Sequence, residues 1–530
     1  MKKFLAALAG IVMCVTLFAA CSNTQAPPSN DEEDDNTPSA PQHVGYDSGG
    51  MNDLFYQNAV AQFGSAPVMG DPFLYYEEED KTFYLYGTTG GRRFDYYTSK
   101  DLKEWQLGGT CFNPTSSDWC HSRLWAPEMH KIDGKYWLYY SAGANDSATL
   151  HCSVAVADSP AGPFTNNITE GVTGDKPRFD FGFATIDGTV FQDDDGSLYY
   201  YFAKDQVAGV STIWGVQLEN PYTIKEGEQA VQLTRVGYAA MTGGERREWE
   251  AKQGNWNEGP FMVKHNDVYY LTYSANFYQS KYYGVGYAMS TSPLDGFEKP
   301  EDSMLLGTMG QSDPKKEWDY VSGTGHHMFI DIGGENFIVY HKHYNIKEAG
   351  NVRIFTIDAY GFREDGSMYV NGSTISPQAR PKLLSGYGNI AGDATITGTG
   401  LDAGSRRLLK DGGIGVYPTN SYKTDVIFEA GKTVLTLKFA EPRAVRSVML
   451  YSGTDYSMIL KKVDKIEFGE VCYVTDVRLD GNYIDTQRGY MAVGNAISAT
   501  LADDVNISEI KITINSDSQF MLSEIAVLGK

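Results

Sequence analysis

Five short segments place an acidic residue or a histidine just ahead of an aromatic-rich run. They read Met69-Gly70-Asp71-Pro72-Phe73, Trp125-Ala126-Pro127-Glu128-Met129, Thr185-Ile186-Asp187-Gly188-Thr189, Asn257-Glu258-Gly259-Pro260-Phe261 and Gly323-Thr324-Gly325-His326-His327. Clustered carboxylates repel one another, so folding alone would not select them and chemistry would. Three carboxylates around one space suffice to cleave a glycosidic bond. One, kept protonated, delivers a proton to the leaving oxygen, and a second activates water or attacks directly. A third, close to the acid, raises its pKa by repulsion. Asp71, Asp187 and Glu258 can fill these three parts.

Such residues act together only if the fold brings them together. Each segment precedes a polar turn and then a run such as Phe83-Tyr84-Leu85-Tyr86, Tyr136-Trp137-Leu138-Tyr139-Tyr140 or Val268-Tyr269-Tyr270-Leu271-Thr272-Tyr273. Near-regular repetition of β-type runs predicts radial repetition, with one propeller blade per repeat. Taking Asp71, Glu128, Asp187, Glu258 and His326 as equal in phase, the reading places all five around the central axis. Residues 51–388 are assigned to this five-bladed β-propeller. From 389 to 530 the repeat is gone. Thr433–Phe439, Val445–Tyr451, Ile507–Ile514 and Leu522–Leu528 alternate in polarity as several short strands, which predicts a β-sandwich acting as a cap or as a sugar-binding module. The chain is therefore expected to be all-β.

The chain carries a formal charge of −23 with a pI near 4.8, which disfavours nucleic acid and anionic lipid as partners. Its 36 Tyr, 25 Phe and 8 Trp suit both strands and carbohydrate surfaces. Lys2 and Lys3 followed by an apolar stretch make residues 1–20 a signal peptide. Leu17-Phe18-Ala19-Ala20-Cys21 resembles a bacterial lipoprotein signal, in which Cys21 receives the lipid. Residues 21–50, with the acidic run Asp31–Asp35, are expected to be a disordered tether. The implied location is the outer membrane, at its periplasmic face or the cell surface, with the lipid as the only membrane contact. No CxxC pair is present. Cys111 and Cys120 can bridge in an oxidising compartment or remain buried thiols.

The residues around the acids resemble the signatures of glycoside hydrolase family 43. They include Asp71-Pro72-Phe73, Trp125-Ala126-Pro127-Glu128, Ile186-Asp187-Gly188-Thr189-Val190-Phe191, Glu258-Gly259-Pro260, Ser99-Lys100-Asp101-Leu102-Lys103-Glu104-Trp105 and Gly323-Thr324-Gly325-His326. The resemblance implies a five-bladed propeller with inverting chemistry. Asp71 would be the general base, Glu258 the general acid and Asp187 the pKa modulator. It also implies that Arg353 reaches the substrate and that His326 stands on the channel axis, where a structural calcium held through water is expected. No cofactor is required. Glu128 is given a hydrogen-bonded structural place. Trp125, Phe94, Phe183 and Phe277 are candidates for stacking on sugar rings. The C-terminal part looks like a galactose-binding-like sandwich. The implied activity is release of α-L-arabinofuranosyl or β-D-xylosyl units from arabinose- or xylose-containing plant polysaccharide or oligosaccharide. Endo-arabinanase and galactofuranosidase action stay open, as does a glycan-binding lipoprotein with an inactive propeller.

Overall fold

Each segment named above forms the inner strand of a blade, and the aromatic run behind it forms the second. In the computed structural model, which describes residues 40–48, 53–59, 66–147, 149–205, 209–308, 321–344, 352–415, 425–485 and 490–530, the inner strands are Gly70–Glu77, Cys120–Ile132, Thr185–Gln192, Asn257–His265 and Gly325–Asp331. The second strands are Thr82–Thr88, Lys135–Ala144, Leu198–Lys204, Val268–Ala275 and Asn336–His343. Antiparallel third strands follow in every blade, so five sheets succeed one another in chain order. The signal segment, Cys21 and the acidic run lie outside the described residues.

The aromatic content of the second strands has a packing reason. Their tyrosines sit between blades and need a partner for a buried hydroxyl. Tyr86 donates to Pro160 O, Tyr139 to Pro221 O, Tyr201 to Pro293 O and Tyr270 to Gly366 O. Each acceptor lies just beyond the third strand of the next blade. In four of the five blades one tyrosine thus fills the gap with its ring and ties two blades with its oxygen, whereas Tyr340 of the fifth donates to Asp358 within its own blade. The ring closes between the first and last blades. Met69 N–H donates to Arg353 O at 2.9 Å, and Phe355 N–H to Pro67 O at 3.2 Å.

The C-terminal part, read above as a sandwich, is a nine-stranded sheet around one apolar core. Leu435, Leu437 and Phe439 are buried in its core as the alternation predicts. Three of the four expected short strands lie in two long ones, and the fourth is its own strand, Phe520–Gly529. Gly431–Ser452 runs through both predicted segments, and Ala496–Ser516 pairs along it. The ladder is interrupted between Lys438 and Arg443, where Pro442 has no N–H to donate. The tether reading also needs correction. Gln42–His43 pairs in parallel with Cys472–Tyr473, and Asp47 exchanges backbone hydrogen bonds with Thr500. Residues 42–47 therefore add to the sandwich edge, because that edge offers unpaired backbone groups. Cys111, Cys120, Cys152 and Cys472 are all free and buried, so no bridge joins the first two.

Propeller and sandwich share one apolar cluster. Leu54, Phe55, Val321 and Ile375 pack with Met449, Tyr451, Ala526 and Leu528. Residues Pro41–Lys530 accordingly form one compact unit. Removing 389–530 would bare this cluster. The truncated chain is expected to lose soluble yield and melting temperature, and its activity should fall by the same factor on polymer and on a small aryl glycoside. A loss confined to polymer, measured on both substrates side by side, would instead mark the sandwich as a glycan-binding module.

Candidate active site

Every inner strand carries a kink at the same place, and the kink builds the site. Asp71, Ala126, Asp187, Gly259 and His326 have φ of 53°, 48°, 58°, 54° and 45°. Around each of them the ladder to the second strand shifts register. The left-handed conformation costs a non-glycine residue about 1–2 kcal/mol. This phase corrects the sequence reading. Asp71, Asp187 and His326 are equivalent, but Ala126 and Gly259 hold the other two places. Glu258 stands one residue before the kink and Glu128 two residues after it. Glu128 is buried against His130 Nε2 at 3.3 Å, not with the other acids.

The kink frees a backbone N–H from the ladder, and the preceding blade accepts it. Ala126 N–H donates to Thr88 Oγ1 at 2.8 Å, Asp187 N–H to Ser141 Oγ at 2.7 Å, and His326 N–H to Ser274 Oγ at 2.8 Å. Asp71 N–H closes the ring on His341 Nδ1 at 3.1 Å. Thr88, Ser141, Ser274 and His341 hold one register position on their second strands, opposite Gly70, Trp125, Glu258 and Gly325. In the third blade that position is Ala203, opposite Ile186. Alanine has no acceptor. The Gly259 N–H turns instead to the Asp187 carboxylate, reaching Oδ2 at 3.0 Å. One missing hydroxyl thus fixes the orientation of an acid.

The carboxylates sit in opposite electrostatic settings. Burial would raise Asp71, but Arg353, His326, His341 and the Thr88 hydroxyl outweigh it and hold Asp71 well below the usual carboxylate range. Arg353 is the permanent charge among them, with Nη1 2.9 Å from Asp71 Oδ1. His341 is neutral, because burial lowers its pKa and its Nδ1 already accepts the Asp71 N–H. His326 Nδ1 lies 3.5 Å from Asp71 Oδ1 and 3.8 Å from Asp187 Oδ2, between the two. Glu258 goes the other way. Burial raises it, and Asp71 and Asp205 add repulsion, against a Tyr283 hydroxyl donated at 2.9 Å. Asp187 is also raised by burial, and Glu258 and Asp71 add to this despite His326. One acid is kept ionised and another kept protonated in the same space, which is the division of labour needed for general base and general acid.

The remaining expectations divide. Trp125 and Arg353 line one cavity of about 390 Å³ beside Gly70 and Asp71. Arg353 is therefore no surface residue of a blade. Its guanidinium lies where a Cβ on residue 70 would be 2.1 Å from Cζ, so only glycine admits it. Phe277 is half-buried on Trp256 and Tyr278, and Tyr278 in turn lies under Arg353 with Cζ 5.0 Å from the ring centre. Phe94 is wholly buried between Phe112 and Tyr140, so it is core and stacks on no sugar. Phe183 packs on Phe202 and Trp214 with Lys204 Nζ 4.2 Å over its ring, which occupies the face a sugar would need. Among the described residues no three His, Cys, Asp or Glu side chains gather as a metal cage. His326 Nδ1 is turned to the Asp71 and Asp187 carboxylates. Tyr283, Asp205 and the three hydroxyl acceptors escaped the sequence reading because each belongs to a non-inner strand or loop whose phase shows only in three dimensions.

A five-bladed propeller whose channel holds an ionised and a protonated carboxyl group defines an O-glycosyl hydrolase. The family model of glycosyl hydrolases family 43 matches residues 65–368, and the chain belongs to that family. A β-D-galactofuranosidase of Aspergillus niger is 28% identical over 287 residues, covering 52% of this chain and 73% of its own. A β-xylosidase of Xylanibacter ruminicola is 28% identical over 258 residues, covering 44% and 69%. Among solved structures, a thermostable family-43 glycoside hydrolase matches with 32% identity and a TM-score of 0.51, covering 62% of this chain and 99% of its own.

Two measurements probe this geometry. Ala203→Ser offers Gly259 N–H a competing acceptor and should release Asp187. A fall in kcat of roughly ten- to a hundredfold is expected with little change in melting temperature, whereas Ala203→Gly should keep the rate. Arg353→Gln removes the charge that lowers both Asp71 and Glu258. Activity falls with decreasing pH as the base is protonated and with increasing pH as the acid ionises. Both limbs of the kcat/KM profile should therefore move to higher pH, and limbs that stay in place would refute the electrostatic assignment.

Proposed function

We propose that this chain is an inverting, exo-acting glycosidase that releases α-L-arabinofuranosyl or β-D-xylosyl units from plant polysaccharides or their fragments. The feature that carries the reading is the opposite electrostatic setting of Asp71, lowered by Arg353 at 2.9 Å, and of Glu258, raised by burial, in one channel. Glu258 gives its proton to the glycosidic oxygen as that bond breaks. Asp71 takes a proton from the water that attacks the opposite face of the sugar. In this reading Asp187, held by the N–H of Gly259 next to Glu258 in the chain, is the pKa modulator. Arg353 and Trp125 hold the sugar at the cavity wall, with Phe277 at its margin. The relative from Xylanibacter ruminicola supports the xylosyl arm, and a probable arabinan endo-1,5-α-L-arabinosidase of Aspergillus clavatus, 26% identical over 309 residues, supports the arabinosyl one. A galactofuranosidase is the second reading, favoured by the relative from Aspergillus niger. Lys2, Lys3 and Cys21 support an exported, lipid-anchored enzyme at the outer membrane.

Asp71→Asn and Glu258→Gln should each cost roughly 10²–10⁴-fold in rate on an unactivated substrate while the fold persists. Proton NMR of the first product should show inverted anomeric configuration; a retained anomer would make Asp71 a nucleophile. Aryl arabinofuranosides, xylosides and galactofuranosides assayed in parallel choose among the sugars. Fractionation of the same cells with Cys21→Ala decides the anchor.

A further inference from the structure

Glu258 hangs from a short stretch of ladder. Asn257 and Glu258 pair with Ala275 and Ser274 of the second strand, and the register then shifts at the kink. What steadies the acid must therefore come from the chain that leads into this stretch. That chain leaves the third blade, makes a hairpin of Tyr238–Ala240 and Gly243–Arg246, and turns through Glu248–Ala251.

The turn carries a carboxylate to the acid's strand. Glu250 and Lys299 are both buried, and Lys299 Nζ stands 2.7 Å from Glu250 Oε2. The ammonium has three N–H groups and three acceptors, which are Glu250 Oε2, Asn257 Oδ1 at 3.1 Å and Arg235 O at 3.0 Å. The carboxylate also accepts the Gly237 N–H at 2.9 Å, the Tyr273 hydroxyl at 2.7 Å and Asn257 Nδ2 at 3.3 Å. The Asn257 amide thus grips both members of the pair, and Glu258 is the next residue. A buried ion pair adds little net stability, because desolvation offsets its attraction. Taking a partner from either member is costly, so what the pair holds is held rigidly.

A second tie reaches the hydroxyl that Glu258 accepts. Asn276, directly after the second strand, is wholly buried with φ of 72°. Its Oδ1 accepts the N–H of Lys252 at 2.8 Å and of Gln253 at 3.0 Å, and its Nδ2 donates to Trp249 O at 2.8 Å and Tyr282 O at 2.9 Å. All four hydrogen-bonding positions of the amide are filled, three of them by the segment that carries Glu250. Tyr283 follows Tyr282 and donates to Glu258 Oε1 at 2.9 Å. Its ring lies over Gly325, where a Cβ would stand 2.2 Å from Cε1, so the fifth blade admits it only at a glycine.

We propose that the segment between the third and fourth blades positions the general acid, with Asn257 tying the strand of Glu258 to the buried Glu250–Lys299 pair and Asn276 holding Tyr283 at its carboxyl group. The proposal rests on the glycosidase reading above and adds two positioning residues to it. Asn257, Asn276, Glu250 and Lys299 are all buried, so they act through Glu258 and not on the sugar.

The test uses leaving groups of different acidity. A dinitrophenolate departs without a proton, whereas a phenolate needs the acid. The unmutated chain, Asn257→Ala and Asn276→Gly are assayed on phenyl and dinitrophenyl α-L-arabinofuranosides and β-D-xylosides. A misplaced acid should lower kcat on the phenyl glycosides roughly ten- to a hundredfold, while KM and the rate on the dinitrophenyl glycosides stay within about threefold. Asn257→Ala leaves the Glu250–Lys299 pair in place, and Asn276→Gly keeps a left-handed backbone at no steric cost, so the test does not depend on one variant folding. Each tie stands or falls with its own variant. A loss of equal size on both leaving groups, which a merely loosened fold would give, overturns the proposal, and so does no loss on either. Glu258→Gln in the same assay separates this from a failure of the reading beneath it. A split at Glu258→Gln with none at either asparagine sinks the positioning alone, whereas no split at Glu258→Gln removes the general acid and the proposal with it.

Discussion

The structure depends on a backbone N–H that each inner strand withholds from its own ladder and hands to the blade before it. The left-handed kink makes this donor available, and the acceptor sits at one fixed register on the neighbouring second strand. A ring built this way is closed by one such hydrogen bond per blade near the axis, with tyrosine hydroxyls making further ties between blades. The same kink turns the side chains of Asp71, Asp187 and His326 toward one another. Strain of about 1–2 kcal/mol per kinked non-glycine residue is offset by the inter-blade bonds it permits. Ring closure and site assembly are one event.

The exception within this pattern is its functional centre. Where the other blades supply Thr88, Ser141, Ser274 or His341, the third supplies Ala203, and a carboxylate takes over the acceptor role. Asp187 is therefore fixed by the scaffold itself. Arg353 sets the second asymmetry. It faces Asp71 more directly than Glu258, so burial, which raises both acids, is overcome at only one of them. Two carboxyl groups in one channel are thus pushed in opposite directions, with Arg353, and the glycine that makes room for it, the largest of the groups that lower Asp71.

The sandwich belongs to this unit through an apolar cluster shared with the propeller, and residues 42–47 extend its edge before the chain enters the first blade. The chain passes through the sandwich, around five blades and back. Propeller closure and sandwich packing consequently stabilise each other, which favours a structural part for the C-terminal residues.

The fold class was legible in the sequence because strand periodicity and aromatic runs are local properties, and the spacing of the five segments repeats with the blades. Asp71, Asp187 and Glu258 were legible as a set because acids beside Gly and Pro turns stand out from the aromatic strands. The phase of the kink was not. Glu258 and Glu128 looked equivalent to Asp71, yet a one- or two-residue offset along a strand sends a side chain elsewhere, and only the ladder shows that Gly259 and Ala126 occupy the equivalent places. Phe94 and Phe183 could not be told from funnel aromatics, because burial is a property of neighbours and not of the residue. The meaning of Ala203 lay furthest from the sequence. An alanine in a strand carries no signal, and its effect comes from the acceptor that the four other blades place there, a hydroxyl in three and an imidazole in one, and that it lacks. Sequence determined which groups are present and that they recur. Tertiary structure decided which of them meet, because hydrogen-bond exchange between blades depends on register across strands distant in the chain.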